Sequence, residues 1–395
     1  MSDSINRLPW PHPEPVPREH WDQWPWNRYS FQHVREFVAT SEVLRGDGPA
    51  WQLPENPLEL DNLTFIDSEG ASRRIDEWME FDNNDGFLVL HDGAIVYERY
   101  NNGMTPRSLH LSQSMAKSVT SCVAGILAGR GLITPDKRVT DYLPELEATA
   151  YRGASLRDVL DMASGVHYVE DYEALDSHIA AMDIATGWKL PRDGFDAPDC
   201  MWDHILSLTE LAEPHGTRFN YRSIETDVLA HCLERVTNRR LHHLVSEEIW
   251  QPLGCADNAD FTVDRAGFPA SSGGLSATLR DYARLGQMLC DGGVGNNRQI
   301  LPREWIEDTL ISTARPLDEV RQKNTPNGGY RNQFWLRDRD RPILMARGIY
   351  GQLIYVDQSR RLVAVVLSSW PESLSTARGA NALAVIDAFA DRLDD

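Results

Sequence analysis

The stretch Ser114-Met115-Ala116-Lys117 sets a hydroxyl and an amine three positions apart, and it is the chain's only S-x-x-K. On a helix this spacing brings both side chains to one face. A serine hydroxyl is a weak nucleophile until a base takes its proton, and an amine whose surroundings disfavour its charge can be that base. The motif opens a helical stretch over 114–130. Free N–H groups and the positive dipole end would therefore face any anion formed there. The pairing supports acyl transfer through a serine ester. Only four lysines occur, at 117, 137, 189 and 323. Even so, about 0.3 such motifs are expected by chance, so a third group must be found.

Tyr221 is that candidate. It lies in TRFNYRS, after a strand-like run over Thr217 to Asn220 and before a helix. A phenol beside an ammonium can relay a proton to a leaving group. Taken alone, Tyr221 reads more readily as a core aromatic with a bonded hydroxyl. Rival nucleophile patterns are missing: there is no G-x-S-x-G and no H-E-x-x-H. His204, His215, His242 and His243 lack paired ligand spacing, and Gly273-Gly274 and Gly292-Gly293 read as loop glycines. The five cysteines form no CxxC, so buried free thiols in a reducing compartment are expected rather than a zinc site or disulfide framework. No metal or organic cofactor is implied.

The elements that must position these groups follow from hydrophobic period and turn residues. GFLVLHDGAIVYERY, 86–100, predicts a hairpin about Asp92-Gly93. Helices are predicted over 114–130, 155–163 with Ser155 as cap, 223–236, 241–250, 277–291 and 302–310. Strands return over 341–357 and 361–370, turning at Asp357-Gln358-Ser359, and a helix over 380–393 closes the chain. This order predicts an α+β fold, an antiparallel sheet flanked by helices with an all-helical domain inserted. The expected division is 31–118 with 270–395 for the sheet domain and 119–269 for the helical one, with the site in the cleft between. Residues 1–30 are expected to form an arm docked through Trp21, Trp24 and Trp26.

The chain has 395 residues and a net charge of −20. That field repels a phosphate backbone and argues against nucleic-acid binding. No run of about 18 apolar residues occurs, and the proline-broken N-terminus lacks a signal-like core, so a cytoplasmic protein is expected.

The order of hairpin, S-x-x-K helix, LRDVLDMASGV, HGTRFNYRS, IWQPLG and a late glycine-bearing strand resembles class C β-lactamases and their esterase relatives, over roughly residues 80–390. The resemblance implies Ser114 as nucleophile, Lys117 as general base and Tyr221 at the tyrosine of the family's Y-x-N. The K-T-G strand corresponds to Ala346-Arg347-Gly348, making the backbone N–H groups of Ser114 and Ile349 the oxyanion hole. Two positions depart from the pattern: Ser223 replaces the asparagine and Ala346 the lysine. Arg347 should point to the opposite strand face, away from the site. These departures argue against good β-lactamase activity. FLVLHDGAIV, YVEDYEALDSHIAAMDIATGW, YRSIETDVLAHCLERVTN and GLSATLRDYARLGQMLCDGG resemble, more narrowly, the 6-aminohexanoate-dimer hydrolases. That resemblance implies that Tyr172 bonds the scissile amide, Asp183 pairs with an ammonium end and Trp188 closes over the substrate. A further substrate-binding position falls at Ser272. Without the resemblance, Asp183 reads equally as a surface carboxylate and Trp188 as a core residue. The expected partner is a small amide or ester, with neither nucleic acid nor membrane, and a homodimer is the one assembly to consider. A short-chain carboxylesterase of the same fold is the alternative, and a non-catalytic binding protein the third reading.

Overall fold

Two hairpins far apart in sequence meet in one sheet. In the computed structural model, which describes residues 15–394 except 312 and 324, strands Asn84–His91 and Ala94–Tyr100 pair antiparallel. Asp92 and Gly93 take φ of 50° and 79°, the left-handed pair that a type I′ turn requires. Leu362–Ser368 runs antiparallel beside Asn84–His91, with Val365 opposite Leu88. The sheet continues through Gln352–Asp357, Ile343–Gly348, Phe334–Asp338, Gly329–Arg331 and Arg315–Pro316, all antiparallel, for eight strands.

Its central strands are apolar on both faces because helices cover both. Leu88, Leu90, Val363 and Val365 pack with helices Met115–Gly129 and Leu279–Cys290. Phe87, Val89, Ala364 and Val366 pack with Ile75–Phe81 and the C-terminal helix Thr376–Asp394. Ser155 caps Leu156–Leu160 by accepting from the Asp158 N–H while Asp158 reaches back, a full capping box.

Three features differ from the sequence expectation. A second, four-stranded antiparallel sheet runs in the order Thr40–Val43, Ala259–Thr262, Leu275–Thr278, Leu109–Leu111. Ala259–Thr262 falls inside 119–269, so that segment is not all-helical; strands of three or four residues are too short to show a period. The run Thr217 to Asn220 is irregular rather than a strand, because the Asn220 N–H is taken by the carbonyl of Met162. Helices His178–Ala185 and Met201–Ser207 were not anticipated.

The arm docks through Trp21, which is fully buried with ring centroids 6.0 Å from Phe37 and 5.5 Å from Trp188. Trp24 and Trp26 are only half-buried, and residues 1–14 of the expected arm lie outside the described residues. All five cysteines are free; four are buried, whereas Cys200 is half-buried near Asp203.

Candidate active site

The small sheet positions Ser114. Strand Leu109–Leu111 delivers the chain to Ser112, whose N–H donates to the carbonyl of Leu275 at 2.7 Å. Gln113 then adopts φ 48°, a left-handed conformation unusual for a side-chain-bearing residue. The turn presents Ser114 at the start of helix Met115–Gly129. Strand Ile343–Gly348 arrives from the large sheet, and only glycine fits at its end. A Cβ on Gly348 would lie 2.5 Å from the Ser112 carbonyl oxygen and 3.0 Å from the Ser114 nitrogen. This close approach sets the chain just before Ile349 against the turn carrying Ser114. Neither N–H donates to an acceptor among the described residues. Two free, preorganised donors at a helix start suit a tetrahedral oxyanion.

Lys117 is buried one turn into the helix. Its Nζ lies 2.8 Å from Ser114 Oγ, 3.0 Å from Ser223 Oγ and 2.7 Å from the Ser272 carbonyl oxygen. All three partners are neutral. Ser223 in turn donates to Glu170 at 2.7 Å. Ser272 lines the smaller compartment of the cleft, and its carbonyl oxygen accepts from Lys117. The turn carrying that carbonyl is pinned by buried Asp227, which accepts from the N–H and hydroxyl of Ser271 at 3.1 and 2.7 Å.

Tyr221 lines the cleft with Ser114, and Lys117 Nζ sits 5.1 Å from its ring centroid. Its hydroxyl makes no hydrogen bond to Lys117 or Ser114; the ring instead stacks on Trp335 at 5.3 Å. Tyr172 lines both sides of the cleft, but its hydroxyl donates to Glu170 at 2.6 Å.

Asp183 lines the smaller compartment, about 240 Å³, together with Ser114. It is half-buried, and its carboxylate accepts no hydrogen bond from the described residues. Burial, helped by the charge of Asp22 and opposed by Lys189, pushes its pKa up to about 7. Asp22 belongs to the arm and is itself paired with Lys189. Trp188 is buried rather than free to close: its Nε1 donates to Thr262 Oγ1 at 2.9 Å, and its carbonyl accepts from Trp21. It forms a fixed wall of this compartment.

Arg347 corrects the expectation from strand alternation. Ala346 does face the core behind helix Met115–Gly129. Arg347 takes the other face, yet that face opens into the larger compartment, shared with Ser114 and Tyr221, and the guanidinium carbon lies 5.9 Å from the Trp335 ring centroid. Alternation names the face of a strand but not what a neighbouring loop makes of it. Glu170, Asp227, Trp335 and the arm residue Asp22 were not legible as site residues, since no motif marks them. Among the described residues no group of three or more His, Cys, Asp or Glu side chains is placed to hold a metal ion.

Comparison with known proteins meets this geometry. The Beta-lactamase family model matches residues 83–388. This chain belongs to the beta-lactamase family. Within that family it is 36% identical over 355 residues to 6-aminohexanoate-dimer hydrolase of Paenarthrobacter ureafaciens, covering 89% of this chain and 88% of that one. A solved Bacillus anthracis structure ascribed to the 6-aminohexanoate-dimer hydrolases superposes with TM-score 0.87 at 29% identity, over 96% and 97% of the two chains. A family VIII carboxylesterase shares the fold, with TM-score 0.60 at 18% identity over 79% of this chain and 92% of its own. This member of the beta-lactamase family is accordingly a serine hydrolase. Among its described residues, no helix is long and apolar enough to cross a membrane.

Proposed function

We propose that the enzyme hydrolyses linear amides or esters through an acyl-enzyme on Ser114, with substrates resembling that of its 6-aminohexanoate-dimer relative. The observation that carries this reading is the 2.8 Å contact between Lys117 Nζ and Ser114 Oγ, with the other Lys117 partners both uncharged. As a neutral amine, Lys117 donates to the Ser272 carbonyl and Ser223 Oγ, leaving its lone pair for the Ser114 proton. Ser114 Oγ attacks the carbonyl carbon as that proton moves to Nζ. The developing oxyanion is held by the N–H groups of Ser114 and Ile349. Collapse breaks the C–N or C–O bond, and Lys117 or Tyr221 returns a proton to the leaving atom. Water then attacks the ester by the same path in reverse, releasing the acid and free Ser114.

Asp183 supports an amine at the far end of the acyl group. A half-buried carboxylate without a protein donor gains most from a cation. One observation favours the ester reading instead: the Tyr172 hydroxyl is bound to Glu170, and an alkoxide leaving group needs less help than an amine. The unpaired cysteines support a reducing, cytoplasmic setting. The deciding experiment is Ser114→Ala, assayed on p-nitrophenyl acetate and on an amine-terminated linear amide. Turnover of both should vanish while the melting curve is kept. Wild-type turnover in a folded variant sinks the assignment.

A further inference from the structure

The two compartments that meet at Ser114 differ in charge. The smaller one presents Asp183. The larger, about 970 Å³, carries an aromatic wall of Tyr221, Trp335 and Phe219 and four arginines. Three of these arginines have carboxylate partners: Arg218 pairs with Glu213, Arg315 with Asp158 and Arg321 with Asp318. Arg347 pairs with none among the described residues. The charges that bear on it are the phenol of Tyr221 and the second guanidinium of Arg321, and burial with Arg321 lowers its pKa. Arg321 itself stands 5.8 Å from the centroids of both Tyr221 and Trp335. On the far side the C-terminal helix makes room, since a Cβ at Gly379 would come 3.4 Å from the Arg347 Nη2.

A half-buried guanidinium with a like charge as neighbour is costly unless something answers it. The proximity to the chemistry is direct. Gly348, the next residue, lies close enough that a Cβ there would come 3.0 Å from the Ser114 nitrogen, and Lys117, Tyr221, Trp335 and Arg347 follow one another at ring distances of 5.1, 5.3 and 5.9 Å.

We propose that Arg347, assisted by Arg321, forms a leaving-group subsite for a carboxylate, so that the enzyme selects substrates whose departing amine or alcohol bears an acid. This rests on the Ser114 reading above. A planar fork of N–H donors matches a carboxylate bidentately, and the aromatic wall suits a short methylene chain leading to it. Ala346 leaves no amine on the inner strand face, so the anion is taken from the outer face instead. The substrate then lies with its cationic end towards Asp183 and its anionic end towards Arg347, the scissile carbonyl between them at Ser114.

The test compares kcat/KM for two linear amides with the same amine-terminated acyl part. One leaving group ends in a carboxylate and the other in its primary amide. Reading the ratio on a single enzyme preparation cancels any loss of folded protein. The wild-type ratio should favour the carboxylate by about tenfold or more. Arg347→Gln should bring it close to one, Arg347→Lys should leave it intermediate, and Arg321→Gln should lower it less than Arg347→Gln does. A wild-type ratio near one overturns the subsite, as does a ratio unchanged in Arg347→Gln. Equal loss on both amides with a shifted pH profile also overturns it, because Arg347 would then be tuning Tyr221. Ser114→Ala run alongside separates the readings: if turnover depends on Ser114 but the ratio is one, only the subsite fails.

Discussion

At the scale of single residues, Lys117 and Asp183 make opposite demands on the proton. As the proposed base, Lys117 must accept one from Ser114 and release it. A guanidinium cannot do this, so Lys117→Arg should lower kcat on p-nitrophenyl acetate by about a hundred- to ten-thousandfold. Steady-state kinetics with a matched melting curve checks this, and a variant within tenfold of wild type would contradict the base. Asp183 must instead be charged to hold an ammonium. Its pKa is raised from 3.8 to about 7, so it becomes neutral as the pH falls through 7. KM for an amine-terminated amide should then rise about ten- to a hundredfold between pH 8 and pH 5.5, while KM for p-nitrophenyl acetate stays level. Asp183→Asn should remove that difference. The same raised pKa means that the folded state loses stability as the pH climbs from about 4 to 7. Asp183→Asn should therefore melt higher than wild type at pH 8 and no higher at pH 4.

At the scale of elements, the proposed site depends on two strand ends: Leu109–Leu111 leads into the turn carrying Ser114, and Ile343–Gly348 leads into Ile349, the second proposed oxyanion donor. Their spacing is set by the missing side chain of Gly348. Gly348→Ala should push the Ile349 N–H away from Ser114 and cost about a hundred- to thousandfold in kcat, with KM and the urea midpoint changing far less. If kcat survives, that N–H is not an oxyanion donor. The hairpins and long helices were legible because Asp92-Gly93 demands a specific turn and because 114–130 and 277–291 keep a helical period. Strand Ala259–Thr262 was not, since four buried residues show no alternation and its pairing to Thr40–Val43 is set by contacts over 200 positions away.

At the scale of the molecule, the N-terminal arm completes the smaller compartment, the proposed acyl pocket. Glu19, Asp22 and Gln23 line it beside Asp183, and Trp21 anchors them by filling the space between Phe37 and Trp188. Trp21→Ala should cost about 3–5 kcal/mol of stability, read from urea melts. In whatever protein remains folded, it should reduce kcat/KM for amine-terminated substrates more than for p-nitrophenyl acetate. Equal losses on both would show that the arm supports the fold alone. The sequence by itself determined that Ser114 and Lys117 meet, because they lie one helical turn apart and need no long-range contact to face each other. It determined the fold class through turn chemistry and hydrophobic period, which are local. Only the tertiary structure decided that Asp183 and Arg347 line different compartments that meet at Ser114, and that Glu170 takes the Tyr172 hydroxyl. Charge and burial at those positions come from residues brought together across the chain, such as Asp22 with Asp183 and Trp335 with Arg347. A residue's environment is a property of its neighbours in space, and a one-dimensional pattern does not contain them.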